Sequence, residues 1–321
     1  MVIKKLHISL IIIMLLVWSC SKKEPEHIKN DIIVAAYLPY WGMDNVDLDA
    51  LQYLDILYYF SLAPDQDGLF EVPEGRVPDI NIIRSHLRSD ALLFIVVGGW
   101  YESETIFPMF EDPEKRADYI SQLIRFCLEH DIDGVDLDWE DYPYSIPPQD
   151  RSILTSMLSD SLRSNGLFFS VALVPSQVSF SSGIHPLVDF INVMSYGIMD
   201  EQGNQVPLTM FEDYTYDHVY AGIPREKIIM GVPFYGKRPY EEGDTSPRTY
   251  TYRYIVEMSH PLPDNNNFGL YSFNGRTLIK NKTSFLIDND IGGIMVWELS
   301  QDVPLGSPYS LFDAILDISG R

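Results

Sequence analysis

The chain has 321 residues, of which 46% are hydrophobic, and its formal net charge at pH 7 is −23. This hydrophobic content excludes a disordered acidic polymer, because it is enough to bury the core of one large domain or two ordinary ones. The acidity excludes nucleic acid as a partner, since the phosphates would be repelled, and otherwise indicates only a charge that keeps the protein soluble.

Residues 1–19 are predicted to be a signal peptide that does not contribute to the fold. Two lysines precede an apolar run over residues 8–18, which is too short for a comfortable membrane span. The run ends in VWSC, which resembles a bacterial lipoprotein signal, and residues 20–30 form a polar linker. The resemblance implies export and lipidation of Cys20, with this anchor at the bacterial cell envelope as the only membrane contact. An ordinary signal peptide and a secreted protein are the alternative.

Eight short runs that are rich in apolar, β-branched and aromatic residues recur along the rest of the chain. They cover residues 32–38, 54–60, 91–99, 132–139, 167–174, 190–196, 227–235 and 291–297. Continuous apolar runs of this length are typical of parallel strands that are covered on both faces. The sequence therefore predicts eight strands in a parallel sheet.

Between several of these strands the apolar residues recur at helical spacing. The segments are 79–89, 113–130, 149–165 and 277–289. The second follows Asp112 and opens with Pro113, which suit the N-cap and first turn of a helix. Strands that alternate with helices over residues 31–321 predict a (β/α)8 TIM barrel. A doubly wound open sheet is the alternative, but no glycine-rich phosphate loop follows the first strand.

The longest gap between predicted strands separates the seventh from the eighth. It covers residues 236–290 and contains stretches that are rich in tyrosine, proline and asparagine. We expect a small insertion there, with one or two strands, standing on the rim of the barrel.

The sequence shows neither a disulfide framework nor a metal site. Cys127 is the only cysteine besides Cys20, and it is predicted to be a small buried side chain in a helix. The seven histidines are scattered without metal-like spacing. No metal and no cofactor are therefore expected.

The stretch DGVDLDWE at 133–140 places four acidic residues where a buried strand is predicted. Because alternate residues of a strand share a face, Asp136, Asp138 and Glu140 are expected to point into the barrel. Residues two apart on a strand lie about 6.5–7 Å apart, so repulsion and desolvation should raise at least one pKa. Glu140 is nearest the barrel mouth and is the predicted general acid. A calcium site or a structural cluster is the alternative, which the alternating apolar residues disfavour.

DGVDLDWE also resembles the DxxDxDxE signature of glycoside hydrolase family 18, the chitinase-like barrels, at all four acidic positions. Further motifs match in order along nearly the whole chain after residue 30. They are YLPYW at 37–41, the end of LYYF at Phe60, GGW at 98–100, MSY at 194–196, GVPFYGK at 231–237 and GGIMVWELSQD at 292–302. The resemblance implies retaining, substrate-assisted cleavage of β-1,4 bonds beside N-acetylglucosamine in chitin or chitooligosaccharides.

The resemblance also implies a role for each polar residue of the site. Glu140 would protonate the leaving oxygen and later activate water. Asp138 would hold the acetamido N–H and share a proton with Asp136, which Asp133 would support from deeper in the barrel. Tyr196 would hydrogen-bond the acetamido oxygen, although a tyrosine at the end of a strand is also a common surface residue.

Aromatic and apolar residues at the strand ends are implied to contact the sugar. Trp297 would form the floor under the distorted ring, where an aromatic face suits the apolar side of a sugar. The other predicted contacts are Tyr37, Trp41, Phe60, Trp100 and Met194.

Two positions depart from the family pattern. Val96 stands where a serine is usual, so Asp133 or Asp136 needs another partner. Gly197 stands where an aspartate is usual after Tyr196, and Asp200 is the nearby residue that would replace its polar contact. These changes leave Glu140 in place but bear on pH dependence and on substrate preference.

Two other functions compete with a chitinase-like activity. The first is an endo-β-N-acetylglucosaminidase that cuts the core of N-linked glycans. The second is a glycan-binding barrel without catalysis, which the presence of Glu140 disfavours. Substrates related to peptidoglycan also remain open.

Overall fold

Parallel strands close into an eight-stranded barrel in the computed structural model, which describes residues 32–65, 67–99, 112–138, 148–240 and 245–321. The strands in chain order are β1 (Ile33–Pro39), β2 (Ile56–Phe60), β3 (Leu92–Gly98), β4 (Gly134–Asp138), β5 (Phe168–Leu173), β6 (Phe190–Val193), β7 (Ile228–Pro233), β8 (Tyr235–Lys237), β9 (Thr249–Thr251), β10 (Asn267–Phe268), β11 (Tyr271–Ser272) and β12 (Gly293–Trp297). Strands β1 to β7 and β12 form the barrel, which β1 and β12 close. The predicted barrel is confirmed, and the open doubly wound sheet is wrong.

Helices cover the outside of the barrel. They are α1 (Arg76–His86), α2 (Pro113–Glu129), α3 (Pro148–Ser164), α4 (Val178–Ile184), α5 (Leu208–Tyr220), α6 (Tyr252–Ser259), α7 (Arg276–Asp288) and α8 (Leu311–Ser319). The start of α2 follows the prediction, because the Asp112 carboxylate accepts hydrogen bonds from the backbone N–H groups of Glu114 and Lys115. Within the described ranges, no helix is both long enough and apolar enough to cross a bilayer.

The barrel strands have an apolar layer on each of their two faces, one outside and one inside the barrel. Side chains such as Val135 and Leu137 of β4 pack outward, in the layer between the strands and the helices. Tyr58, Phe94 and Met295 belong to the inner layer that fills the barrel. This alternation points the carboxylates of β4 into the barrel, because they take the positions between the outward-facing side chains.

The segment between β7 and β12 carries a second sheet. Its order is β10-β11-β8-β9, and its neighbouring strands are antiparallel. The insertion therefore has four short strands instead of the one or two predicted. Each has only two or three residues, too few to show the alternation that identifies a strand. The last part of the predicted insertion is α7, which packs against α5 and α8 outside the barrel.

Candidate active site

Asp136 lies at the centre of a polar cluster inside the barrel. Its Oδ2 accepts a hydrogen bond from the Tyr37 hydroxyl at 2.7 Å. Its Oδ1 accepts one from the Ser170 hydroxyl at 2.5 Å and one from the Asn192 amide at 3.0 Å. All four side chains are buried. Because a buried polar group costs free energy unless it is hydrogen-bonded, these three donors are what allow a carboxylate at this depth.

The register of the barrel explains which residues meet Asp136. Val96 of β3 and Ser170 of β5 pair with Asp136 from its two sides. Asp133 or Asp136 was expected to need another partner because Val96 stands where a serine is usual. Asp136 accepts that hydrogen bond from the Ser170 hydroxyl on β5, the strand on its other side. Ser170 and Asn192 were not predicted as site residues. The sequence feature that could have indicated them is a polar side chain within an otherwise apolar strand.

Burial raises the pKa of the Asp136 carboxyl to about 6, although the hydrogen bonds from Ser170, Tyr37 and Asn192 favour the charged form. Burial also raises the pKa of the Tyr37 hydroxyl, and the nearby charges of Asp136 and Asp138 raise it further. Tyr37 therefore keeps its proton and acts as a donor to Asp136. Asp136 is thus a carboxyl with a pKa near neutrality, which the acidic row was expected to contain.

Asp138 is the next inward-facing residue of β4, towards its carboxyl end, and it is 2% exposed. A Cβ atom built on Gly99 would lie 3.5 Å from Asp138 Oδ2 and 2.2 Å from the Phe60 ring. Gly99 has φ +107, so a side chain there would be strained as well as crowded. Gly99, directly after β3, thus leaves the room that the Phe60 and Asp138 side chains occupy. Glu140 and Trp100 lie outside the described residues.

An aromatic wall stands above the polar cluster. The Trp297 ring centroid lies 5.4 Å from that of Tyr37, 5.3 Å from that of Phe60 and 6.4 Å from that of Tyr196. Trp41 packs edge-on against Phe60 at 5.5 Å and is 51% exposed. The structure therefore brings these predicted contact residues together, with buried Met194 packed into the layer below them.

Residues 33–302 match the family model of the glycosyl hydrolases family 18. The chain belongs to this family. It is 23% identical to Probable chitinase 10 of Drosophila melanogaster over 87% of this chain and 16% of that protein. It is 26% identical to Probable chitinase 2 of the same species over 77% of this chain and 63% of that protein. The chain thus spans less than two thirds of the length of both curated relatives.

The fold is similar to that of the GH18 chitinase ChiB from the chitin utilization locus of Flavobacterium johnsoniae. The TM-score is 0.78 and the sequence identity is 24%, over 90% of this chain and 94% of that chain. A likeness at this identity shows that the two chains share the barrel fold.

One residue of the family signature does not act as predicted. Asp133 precedes β4 at its amino end, forms an ion pair with Arg84 and accepts a hydrogen bond from the backbone N–H of Leu93 at 2.8 Å. The expected support of Asp136 by Asp133 is therefore wrong. An odd spacing of three residues directs the two side chains to opposite faces of a strand. Ser170 and Asn192 support Asp136 instead.

Gly197 is the second position that departs from the family pattern. Hydrogen bonds of its backbone groups hold it in place. Its N–H donates to Gln205 Oε1 at 3.0 Å, and its carbonyl accepts from Lys237 Nζ at 2.5 Å. Asp200 does not take over the missing polar contact. Its Oδ1 closes its own turn by accepting from the N–H groups of Gln202 and Asn204 at 3.0 and 2.7 Å.

Ser170→Ala is expected to move the alkaline limb of the kcat/KM pH profile to higher pH, because Asp136 would then keep its proton to higher pH. The Ser170 hydroxyl favours the charged form of Asp136, so its loss raises that pKa above the value of about 6. Loss of one buried hydrogen bond should also lower stability by about 1–3 kcal/mol. The measurement is the pH profile on a chromogenic chitobioside, together with the urea midpoint.

Ser159→Ala is the matched control, because the buried Ser159 hydroxyl donates to the Leu187 carbonyl at 2.6 Å, away from the site. It should lower stability without moving the profile. Adding Val96→Ser to Ser170→Ala places a hydroxyl on the other side of Asp136 and should return the profile towards wild type. An identical profile for both single variants would show that Ser170 is only structural.

Proposed function

We propose that the protein hydrolyses β-1,4 bonds beside N-acetylglucosamine in chitin or chitooligosaccharides, by substrate-assisted catalysis with retention of configuration. The observation that carries the proposal is the inward row of Asp136 and Asp138 below the aromatic wall that contains Trp297. A neutral sugar ring suits an aromatic floor, and an acetamido group suits a carboxylate partner for its N–H. The ligand is therefore a glycan that contains N-acetylglucosamine.

Asp138 and Asp136 would have different roles in the reaction, which follow from their positions and protonation. Asp138 is the nearer to the barrel mouth, so it would receive the acetamido N–H and balance the positive oxazolinium ion that forms when the acetamido oxygen attacks the anomeric carbon. Asp136 has a pKa of about 6, so a proton is available near neutral pH for the pair to share. Among the described residues, Oδ2 of Asp136 accepts one hydrogen bond and Oδ1 accepts two, which leaves a lone pair on Oδ2 for that proton.

The ring residues orient the sugar for this attack. Tyr196 and Trp297 have nearly parallel rings, 17° apart, and both are half-buried. Trp297 would form the floor of the subsite, and the Tyr196 hydroxyl would hold the acetamido oxygen. Glu140 would act as general acid for the leaving oxygen and then as general base for water.

The test is hydrolysis of fluorogenic chitobiose and chitotriose, with a high-mannose glycoprotein as a parallel substrate. The expected result is release of the fluorophore and a product that retains the anomeric configuration, which NMR monitors. Cleavage of the glycoprotein alone would move the activity to the endo-β-N-acetylglucosaminidases. Binding of chitotetraose without any turnover would make the protein a glycan-binding barrel.

We also infer that the protein is exported and anchored through Cys20. The supporting observation is the sequence pattern of residues 1–19, which end directly before this cysteine. Cells given labelled palmitate should incorporate the label into the wild-type protein but not into Cys20→Ala. The control is Cys127→Ala, because Cys127 is buried, and this variant should keep the label. An unlabelled wild-type protein would favour the ordinary signal peptide.

A further inference from the structure

A groove opens between the chain at Gly197 and the second sheet, β10-β11-β8-β9. Its volume is about 530 Å³, which lies within the range of ligand sites and is enough for a sugar unit. Gly197, Lys237, Tyr240 and Arg248 are among its lining residues. Gly197 directly follows Tyr196 in the chain, so one lining residue of the groove is the neighbour of a predicted sugar contact.

Three cationic residues line this groove in a strongly acidic protein, and of these Arg238 is buried while Lys237 and Arg248 are more accessible. Lys237 is half-buried on β8, and its Nζ uses one donor on the Gly197 carbonyl, at 2.5 Å. An ammonium group has three donors, so further ones remain for a ligand. The Arg248 guanidinium lies over the Tyr240 ring, with its Cζ 4.9 Å from the ring centroid. In the part of the chain that the structure describes, no carboxylate forms an ion pair with Lys237 or Arg248.

The missing side chain at Gly197 creates the space in front of Lys237. A Cβ atom built on Gly197 would lie 3.0 Å from the Tyr235 hydroxyl and 3.5 Å from Lys237 Nζ. The family's usual aspartate at this position would thus place a carboxylate within reach of Lys237. With glycine, the same place is open to a carboxylate that arrives with the substrate.

Among the described residues that line the groove, three cationic side chains stand against two acidic ones. Burial lowers the pKa of Lys237, and the charge of Arg248 lowers it further. Two acidic residues also line the groove, but the Asp200 carboxylate is engaged in its own turn and Glu201 is exposed. A ligand carboxylate between the cations would relieve their repulsion and form charge-assisted hydrogen bonds.

We propose that Lys237 and Arg248 bind a carboxylate group of the glycan, carried by a sugar next to the one that Tyr196 and Trp297 hold. The inference rests on the proposed hydrolase function and deepens it, since it names an acidic amino-sugar glycan as the preferred substrate class. The carboxylate has two chemical sources, a C6 carboxylate of an oxidised sugar or a lactyl ether at O3. Both present one planar anion to the same two cations.

The experiment compares kcat/KM for neutral chitotetraose, its C6-carboxylated form and a lactyl-ether oligosaccharide of equal length. The carboxylated substrates should be preferred by roughly tenfold or more, as one charge-assisted contact predicts. Lys237→Gln and Arg248→Gln should each remove most of this preference. Arg163→Gln is the matched control, since Arg163 is exposed on α3, and it should preserve the preference. The better of the two acidic substrates identifies the source of the carboxylate.

A second pair of variants tests the same idea without removing a cation. Gly197→Asp and Gly197→Asn impose equal bulk and equal backbone strain at φ +71, and both residue types tolerate that conformation better than most. Only aspartate supplies an internal carboxylate to Lys237. The preference should therefore disappear in Gly197→Asp and persist in Gly197→Asn.

Equal kcat/KM for neutral and acidic substrates in the wild-type protein would overturn the inference. So would a preference that Lys237→Gln and Arg248→Gln leave unchanged. If no substrate is hydrolysed, the proposed function fails, and the ratio of calorimetric Kd values for the same oligosaccharides still tests the carboxylate site. A ratio near one would then refute it.

Discussion

Glu140→Gln is expected to lower kcat on chitotriose by about 10²–10⁴-fold, the usual contribution of a general acid. Glutamine keeps the size of the side chain but has no proton to give to the leaving oxygen. The Kd for chitotetraose should change little, because binding rests on the aromatic wall and on Asp138. Steady-state kinetics and calorimetry on the same preparation separate the two effects.

Glu129→Gln is the control for this variant, since Glu129 is exposed at the end of α2 and the substitution removes the same charge. It should leave both kcat and Kd unchanged. Retained turnover in Glu140→Gln would exclude the residue from the chemistry. The basis for expecting it on the inner face is the alternation along β4, where Asp136 and Asp138 are both buried and Asp136 contacts inward-facing Tyr37.

The barrel was predictable from the sequence because parallel strands covered on both faces leave long apolar runs. All eight barrel strands lie within the predicted runs or within one residue of them. Some of the shorter helices were missed. One example is α4, whose sequence VSFSSGI is short and rich in serine. Another is α8, LFDAILDIS, which has only nine residues and is apolar along most of its length.

The partners of Asp136 were not predictable, because they depend on how separate strands align. Ser170 lies 34 residues further along the chain and Asn192 lies 56 residues further. The sequence shows that each is a polar residue in an apolar strand, but the stagger between strands decides which inward position they share. The role assigned to Asp133 came from family resemblance alone, and strand alternation already opposed it.

Asp136→Asn is expected to make the protein more stable at pH 7 while it removes most activity. Burial raises the folded-state pKa of Asp136 from 3.8 to about 6. The folded state therefore holds this proton more tightly than the unfolded state. The stability that the group contributes is present below about pH 4 and is lost as pH rises through about 6. At about 1.4 kcal/mol per pKa unit, the loss is roughly 3 kcal/mol.

The measurement is the free energy of unfolding in urea between pH 4 and pH 8, for the wild-type protein and Asp136→Asn. The difference between the two curves isolates this group, because Asp302, which burial also raises to a pKa of about 6, is present in both. The wild-type curve should fall relative to the variant across this window. Parallel curves would show that the Asp136 carboxyl does not titrate there.

The effects of Asp136→Asn on stability and on activity together explain why an acid occupies position 136. An amide can use the same neighbours, because the Tyr37 and Ser170 hydroxyls accept as well as donate. A purely structural side chain would therefore be better as asparagine above pH 6. A carboxyl that destabilises the barrel at neutral pH is explained if its proton serves Asp138 during catalysis, which is the usual conflict between stability and activity at an active site. Lower stability of Asp136→Asn at every pH would instead make the cluster a structural one.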